Sequence, residues 1–386
     1  MTSILKPFRR LFTHIQPISE GIYHYQAPSD DPRNYRMHLR LERDGDGVLI
    51  INASTVLHLN QTAAEYAYYL VHNTPADQVA EKMAKRYRVS PSQAREDYVN
   101  LSERIQTLIE TPDLDPVSFL DFDRQRPYTG YISAPYRLDC ALTYRLPESA
   151  PQEAAPQERV ERELDTSDWK VVLDKAWVAG IPHVVFTGGE PTLREDLPEL
   201  IAHAEHLGQI SGLLSNGLRL VDSEYLGELL QTGLDHLMIV LRPEQETAWQ
   251  ALENALVEDL FVAVHLTITP ENLEQVPTWL IRLADMGVHE ISLSASEASL
   301  STALEAAREQ AAALELDLIW NLPVPYSALN PVQLELSEPS QQEGAGRAWM
   351  YIEPDGDVLP MQDGKPVLGN LLKDPWEQIW GEANRR

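Results

Sequence analysis

Apolar and polar residues change rhythm along this chain, and the changes divide it into three parts. In the first, residues 35–41 and 48–51 read as short strands around Asp44, Gly45, Asp46 and Gly47, a hairpin signal. Helical periodicity follows over Gln61–His72 and Ala76–Tyr87. A third helix is predicted from Ser90, a capping residue, with Pro91 at the first helical position and Gln93 three places after the cap. Its apolar residues Ala94, Tyr98, Leu101, Ile105 and Leu108 step by four and three, which puts them on one face.

The second part begins after a connector at 111–134, with a strand over Arg137–Tyr144. Residues 147–168 (PESAPQEAAPQERVERELDTSD) then shift to Pro, Ala, Glu and Gln, which predicts a flexible acidic loop. Strands are predicted at His183–Thr187, Gly212–Ser215, His236–Leu241, Phe261–Thr269 and Glu290–Ser294. The helices between them stop at Gly180, Gly208, Gly233 and Gly287. Thr192 and Glu195 have the spacing of a capping box. Repeated strand–helix units predict a parallel sheet with right-handed crossovers. The pattern alone leaves open a partial barrel of about six units and a doubly wound sheet. The third part is a hairpin turning at Asp355 and Gly356, followed by LGNLL (368–372) and PWEQIW (375–380).

Composition narrows the partners. The chain has 386 residues and a formal net charge of −28, which argues against nucleic acid and anionic membranes. Its single cysteine rules out an internal disulfide framework. No apolar run reaches the roughly 20 residues of a membrane span, and Met1–Pro17 lacks the apolar stretch of a signal peptide, so a cytoplasmic protein is expected. His203 and His206, with Glu199 nearby, form a weak metal pattern on a helix. His183, His236, His265 and His289 lie in or beside strands and read as structural.

Chemistry concentrates at residues 186–200, FTGGEPTLREDLPEL, a strand, a Gly-Gly turn and a helix start. This segment resembles the S-adenosylmethionine-binding turn of radical SAM enzymes. The resemblance implies that Gly188, Gly189 and Glu190 offer carbonyls and a carboxylate to the methionine ammonium of that cofactor; glycines permit close ligand approach. Residues 49–66, LIINASTVLHLNQTAAEY, resemble a PqqD-like domain, or RiPP recognition element, a winged-helix-like module that binds a leader peptide. Asn52, Ser54, Leu57 and Leu59 would then line the peptide groove. The tail from Gly344 resembles a SPASM or twitch extension. The implied fold is α/β: a PqqD-like domain at 15–112, a linker at 113–134, a partial (β/α)6 TIM-like barrel at 135–325 and a SPASM/twitch-like extension at 326–386.

The family's 4Fe-4S cluster is held by three cysteines spaced CxxxCxxC. Aligned through Thr143, those positions fall on Leu146, Ala150 and Glu153. A second register, with Tyr136, Cys140 and Thr143, still supplies one thiolate, and iron–sulfur clusters need several. Glu343 and Met361 stand where the tail's family often has cysteines. A cluster is therefore expected to be absent. The expectation that follows is a radical-SAM-like pseudoenzyme that binds a precursor peptide, an active radical SAM homologue, or both. The alternatives are an enzyme that uses S-adenosylmethionine for non-radical chemistry, and a purely structural subunit.

Overall fold

The computed structural model describes residues 15–28, 30–111, 114, 132–147, 155–319, 323–326 and 344–385. The chain divides into two compact units, Met1–Tyr131 and Ile132–Arg386.

The first unit is a four-stranded antiparallel sheet with three helices. Strands β1 (Gly21–Gln26), β2 (Arg36–Leu41), β3 (Gly47–Ile51) and β4 (Thr55–Leu59) lie in chain order. The hairpin expected around Gly45 joins β2 and β3, with Met37 opposite Ile51 and Leu41 opposite Gly47. Alternation sends Met37, Leu39, Leu41, Leu49, Ile51, Leu57 and Leu59 into one core. Helices α1 (Gln61–Val71) and α3 (Pro91–Glu110) supply Ala64, Ala67, Val71, Ile105 and Leu108 to it. Asn60 and Ser90 cap these helices, accepting from Ala63 N and Gln93 N. Helix α2 (Ala76–Tyr87) packs Val79, Ala80 and Met83 against Ala94 and Tyr98 of α3, as the spacing predicts.

The second unit is built on a ten-stranded sheet. Strands β5 (Arg137–Thr143), β6 (His183–Gly188), β7 (Ile210–Ser215), β8 (His236–Val240), β9 (Phe261–Ile268), β10 (Glu290–Ala295) and β11 (Asp317–Leu318) are parallel neighbours in chain order. The helices after β5 to β10 are α4 (Thr166–Val178), α5 (Leu197–Leu207), α6 (Ser223–Gln231), α7 (Glu246–Leu256), α8 (Val276–Asp285) and α9 (Ser301–Ala313). On the other side of β5 the sheet continues through β12 (Trp349–Ile352), β13 (Asp357–Leu359) and β14 (Gly369–Asn370), and helix α10 (Trp376–Ala383) follows. Strand β12 runs parallel to β5, with Tyr351 beside Asp139, while β12, β13 and β14 pair antiparallel. The predicted tail hairpin is thus part of the main sheet. Trp376 and Trp380 stack at 5.7 Å and donate to the carbonyls of Ser133 and Ile132.

Two local expectations are corrected. The expected loop does not run to 168: within 155–168, Ala155 and Leu164 are buried, the other residues are exposed or half-buried, and Asp165 and Asp168 form the capping box that opens α4. Residues 148–154 of the expected loop lie outside the described residues, as do 1–14, most of the 113–134 connector, and 327–343 of the tail. The Thr192–Glu195 box does not form either. A 3-10 turn, Pro191–Leu193, intervenes, and α5 starts at Leu197. Arg194 and Thr166 bind the Asp196 carboxylate, so it caps nothing.

Candidate functional site

The carboxyl ends of parallel strands are where ligands bind in α/β folds, because the backbone turns away there and leaves a crevice. Gly188, Gly189 and Glu190 stand at that end of β6. Gly188 has φ 130°, and a Cβ there would meet Thr143 O at 2.2 Å. A Cβ on Gly189 would meet Arg145 O at 2.3 Å. Glycine is therefore required by the neighbouring strand end, independently of any ligand. Gly189 N donates to Thr143 O at 2.8 Å and Glu190 N to Arg145 O at 2.9 Å, which pins the turn to β5.

Glu190 is buried without a cation. Its Oε1 accepts from Thr192 N (3.0 Å), Thr192 Oγ1 (2.5 Å) and Ser215 Oγ (2.8 Å), and its Oε2 accepts from Asn216 N (2.8 Å). Burial pushes its pKa up, while these four donors oppose the shift. Every donor but Thr192 comes from the end of β7. Only the fold brings Ser215 and Asn216 to Glu190; the polar pair that follows Leu213 and Leu214 was the available sequence signal.

Beside the turn is a small cavity of about 20 Å³, room for a water or two. It is lined by Leu146, Gly189, Glu190, Asn216, Arg242 and Tyr326, among others. A wider open cleft of about 530 Å³ lies between Arg145, Glu163, Arg194 and Asp196. Tyr326 N donates to Gly188 O at 2.7 Å, and the Tyr326 ring meets Tyr144 edge-on at 5.2 Å. Behind them Glu353 accepts from Tyr144 Oη at 3.0 Å and pairs with Arg159 at 2.6 Å; Arg159 also pairs with Asp363. Burial raises the Tyr144 and Tyr326 hydroxyl pKa values, so both stay neutral. Sequence reasoning singled out none of Tyr144, Arg159, Tyr326 or Glu353; their alignment depends on β12 joining β5.

The remaining expected residues are dispersed. Leu146 is buried in an apolar cluster with Ala141, Tyr144, Ala155 and Tyr326, while Ala150 and Glu153 lie outside the described residues. Cys140 pairs with Phe186 and Ile352, one position out of phase with Ala141, so its thiol lies on the opposite face of the sheet from that cluster. Full burial raises the Cys140 pKa, which keeps it a thiol. These donors do not fit a 4Fe-4S cluster: one thiol on the wrong face and an aliphatic side chain replace three thiolates. His203 pairs with Asp174 at 2.8 Å and Glu199 with Lys170 at 2.6 Å, so their helix binds α4 rather than forming a metal site. His183 and His236 share a hydrogen bond of 2.7 Å, and His265 lies between Ser292 and Ser294 at 2.9 and 3.0 Å.

In the first unit, Asn52 and Ser54 are exposed, in the turn between β3 and β4. Asn52 Oδ1 accepts from Arg36 N at 2.8 Å. Leu57 and Leu59 are corrected: at 2% exposure each, their side chains belong to the core and line no surface groove. Strand alternation turns Val56 and His58 the other way.

Comparison with known proteins places this geometry. No family model matches the chain. A PqqA peptide cyclase from Streptomyces rochei is 27% identical over 280 residues, 64% of this chain and 76% of the relative. A PqqA peptide cyclase from Xanthomonas oryzae pv. oryzae is 28% identical over 284 residues, 63% of this chain and 73% of the relative. Among solved structures, Streptococcus suis SuiB bound to its precursor peptide SuiA aligns with TM-score 0.57 at 15% identity, covering 92% of this chain and 88% of that one. SuiB bound to S-adenosylmethionine aligns with TM-score 0.54 at 16% identity, with the same coverage. The chain therefore has the α/β fold of SuiB, with its parallel sheet. The pseudoenzyme expectation is overturned: the sequence relatives are named as peptide cyclases, which are enzymes. No helix among the described residues is long and apolar enough to cross a membrane.

Proposed function

We propose that this protein is a peptide-modifying enzyme of the radical SAM fold type, binding S-adenosylmethionine at Gly188–Glu190 and a ribosomally made precursor peptide through its first unit. The observation that carries the reading is the turn itself. Glu190, a buried carboxylate held by four donors, stands with the Gly188–Gly189 turn at the carboxyl ends of parallel strands, where such folds bind ligands. The relatives named as peptide cyclases and the SuiB complexes with SuiA and with S-adenosylmethionine support the same substrate and cofactor.

The finer architecture belongs to this proposal: a partial barrel for the parallel strands, a PqqD-like module for the first unit and a SPASM-like tail for β12 to α10. Peptide recognition by strand addition would use the sheet edge at β4 and the exposed Asn52 and Ser54. Because Cys140 and Leu146 do not fit a cluster, no radical step is assigned to this chain's own side chains. An intact radical SAM homologue is the partner that would supply iron–sulfur chemistry.

The test is to incubate the full chain with S-adenosylmethionine and candidate ribosomal precursor peptides, with and without an active radical SAM peptide-modifying enzyme. Calorimetry and mass spectrometry are the readouts. Heat on cofactor addition and a mass change in the peptide are expected. No heat at millimolar cofactor together with an unmodified peptide would refute the reading. About four irons per chain after anaerobic reconstitution would overturn the donor-set conclusion.

A further inference from the structure

The acid excess of this chain is not shared between its units. Residues 1–131 carry 15 basic and 17 acidic residues, and residues 132–386 carry 16 and 42. The first unit can therefore receive an acidic ligand that the second would repel. Its cations gather on one flank of α2. Lys85 and Arg86 follow Lys82 by three and four places, so the three share a helix face, while Asp77 lies on another flank and pairs with Arg95 of α3. Arg86 is spent on Glu65 of α1 and on the Gln16 carbonyl. Lys82, Lys85 and Arg88 are exposed and make no ion pair among the described residues. Arg33, Arg43 and Arg95 of the same unit each pair with a carboxylate.

The unpaired lysines border a run of half-buried rings. Lys82 Nζ stands 5.0 Å from the centre of the Tyr69 ring. Tyr69 meets Tyr68 edge-on at 5.4 Å, and Tyr68 meets Tyr23 of β1 edge-on at 4.8 Å and His72 at 4.2 Å. A surface thus runs from β1, the edge strand at the other side of the sheet from β4, across α1 to α2. Rings form one end of it and ammonium groups the other. Burial raises the hydroxyl pKa values of Tyr23 and Tyr69, so both remain hydrogen-bond donors.

We propose that this surface of β1, α1 and α2 docks an acidic segment of a peptide, with its carboxylates on Lys82 and Lys85 and its apolar or aromatic side chains against Tyr23, Tyr68 and Tyr69. Exposed ion pairs attract only modestly, so the rings supply contact area while the lysines select the charge. A unit whose acidic residues outnumber its basic ones suits neither a nucleic-acid backbone nor an anionic bilayer, both of which need many cations together. The inference rests on the first unit being the peptide-binding unit, and it deepens that reading by giving the charge class of the peptide.

Fluorescence anisotropy on the full chain uses two labelled synthetic peptides of equal length, with the same Leu and Tyr positions and either Glu or Gln at the others. The Glu peptide is expected to bind wild type more tightly than the Gln peptide and to lose affinity as sodium chloride is raised. K82E/K85E should weaken the Glu peptide at least about tenfold, and K82Q/K85Q should lie between that variant and wild type. Both side chains are exposed, and unchanged circular dichroism checks that the fold is kept. Equal affinity of wild type and K82E/K85E for the Glu peptide overturns the proposal, as does equal affinity of wild type for the two peptides. Tighter binding of phosphatidylserine vesicles or of a single-stranded oligonucleotide overturns it too. Candidate precursor peptides in the same assay separate it from the proposed function. A precursor that binds wild type and K82E/K85E alike leaves peptide recognition standing and removes this surface from it. Lysine-dependent binding of the Glu peptide with no precursor bound supports the surface and counts against the precursor role.

Discussion

At the scale of single residues, Glu190 decides whether the turn holds its shape. Its four donors come from two segments, residues 192 and 215–216, so it joins the ends of β6 and β7. Glu190→Ala strands those donors in a buried place, and a loss of about 3 kcal/mol in unfolding free energy is expected from urea titration. Glu190→Gln keeps one acceptor oxygen and should lose less. Its amide N–H2 faces donors, however, so some loss remains. If the turn binds the cofactor as proposed, Glu190→Ala should also abolish the calorimetric signal of S-adenosylmethionine.

At the scale of elements, parallel strands carry side chains so close to neighbouring backbone that single atoms matter. A Cβ on Gly212 of β7 would lie 2.0 Å from His236 Cε1 and 2.3 Å from Nε2. Gly212→Ala must therefore push the His236 ring away from His183. A cost of about 1–3 kcal/mol is expected, with a lowered melting temperature as the measurement. The helices are set more locally. Ser90→Ala removes the cap of α3 and should cost about 1 kcal/mol in the unfolding of the first unit, read by circular dichroism. An unchanged transition would show that α3 is held by its contacts with the sheet alone.

For the whole molecule, three neutral histidines, His265 buried and His183 and His236 half-buried, couple stability to pH. Burial pushes His265 down to about 3 and His236 to about 4, and places His183 well below its usual 6.5. In the unfolded chain each takes a proton near pH 6.5, while in the folded chain it does not. Stability from these groups is therefore complete above pH 6.5 and is lost as pH falls toward the folded values. The slope is up to about 1.4 kcal/mol per pH unit for each histidine. Urea midpoints should fall between about pH 7 and pH 5 on this basis. His265→Asn, which keeps hydrogen bonding to Ser292 or Ser294, should flatten the decline by about one third, its share of the three.

Local periodicity was enough to define most elements, because helices and strands bury apolar residues at fixed spacing. The hairpin at Gly45, the cap at Ser90 and the strands from Arg137 to Ala295 were legible for that reason, as was the Gly-Gly-Glu turn. Composition also established that this chain supplies one thiol, which no packing can turn into three. Pairings between distant segments were not legible. Strand β12 joins β5 some 200 residues away, and only then do Tyr144, Glu353, Arg159 and Tyr326 meet at the turn. The facing of Leu57 and Leu59 was likewise settled by the sheet, since a strand's period of two does not say which face is covered. Whether the protein works as an enzyme was not written in the cluster positions alone, and its relatives corrected that reading. The sequence determined the elements and the donor atoms available. The tertiary structure decided which donors meet, because hydrogen bonds and ion pairs depend on distance in space rather than along the chain.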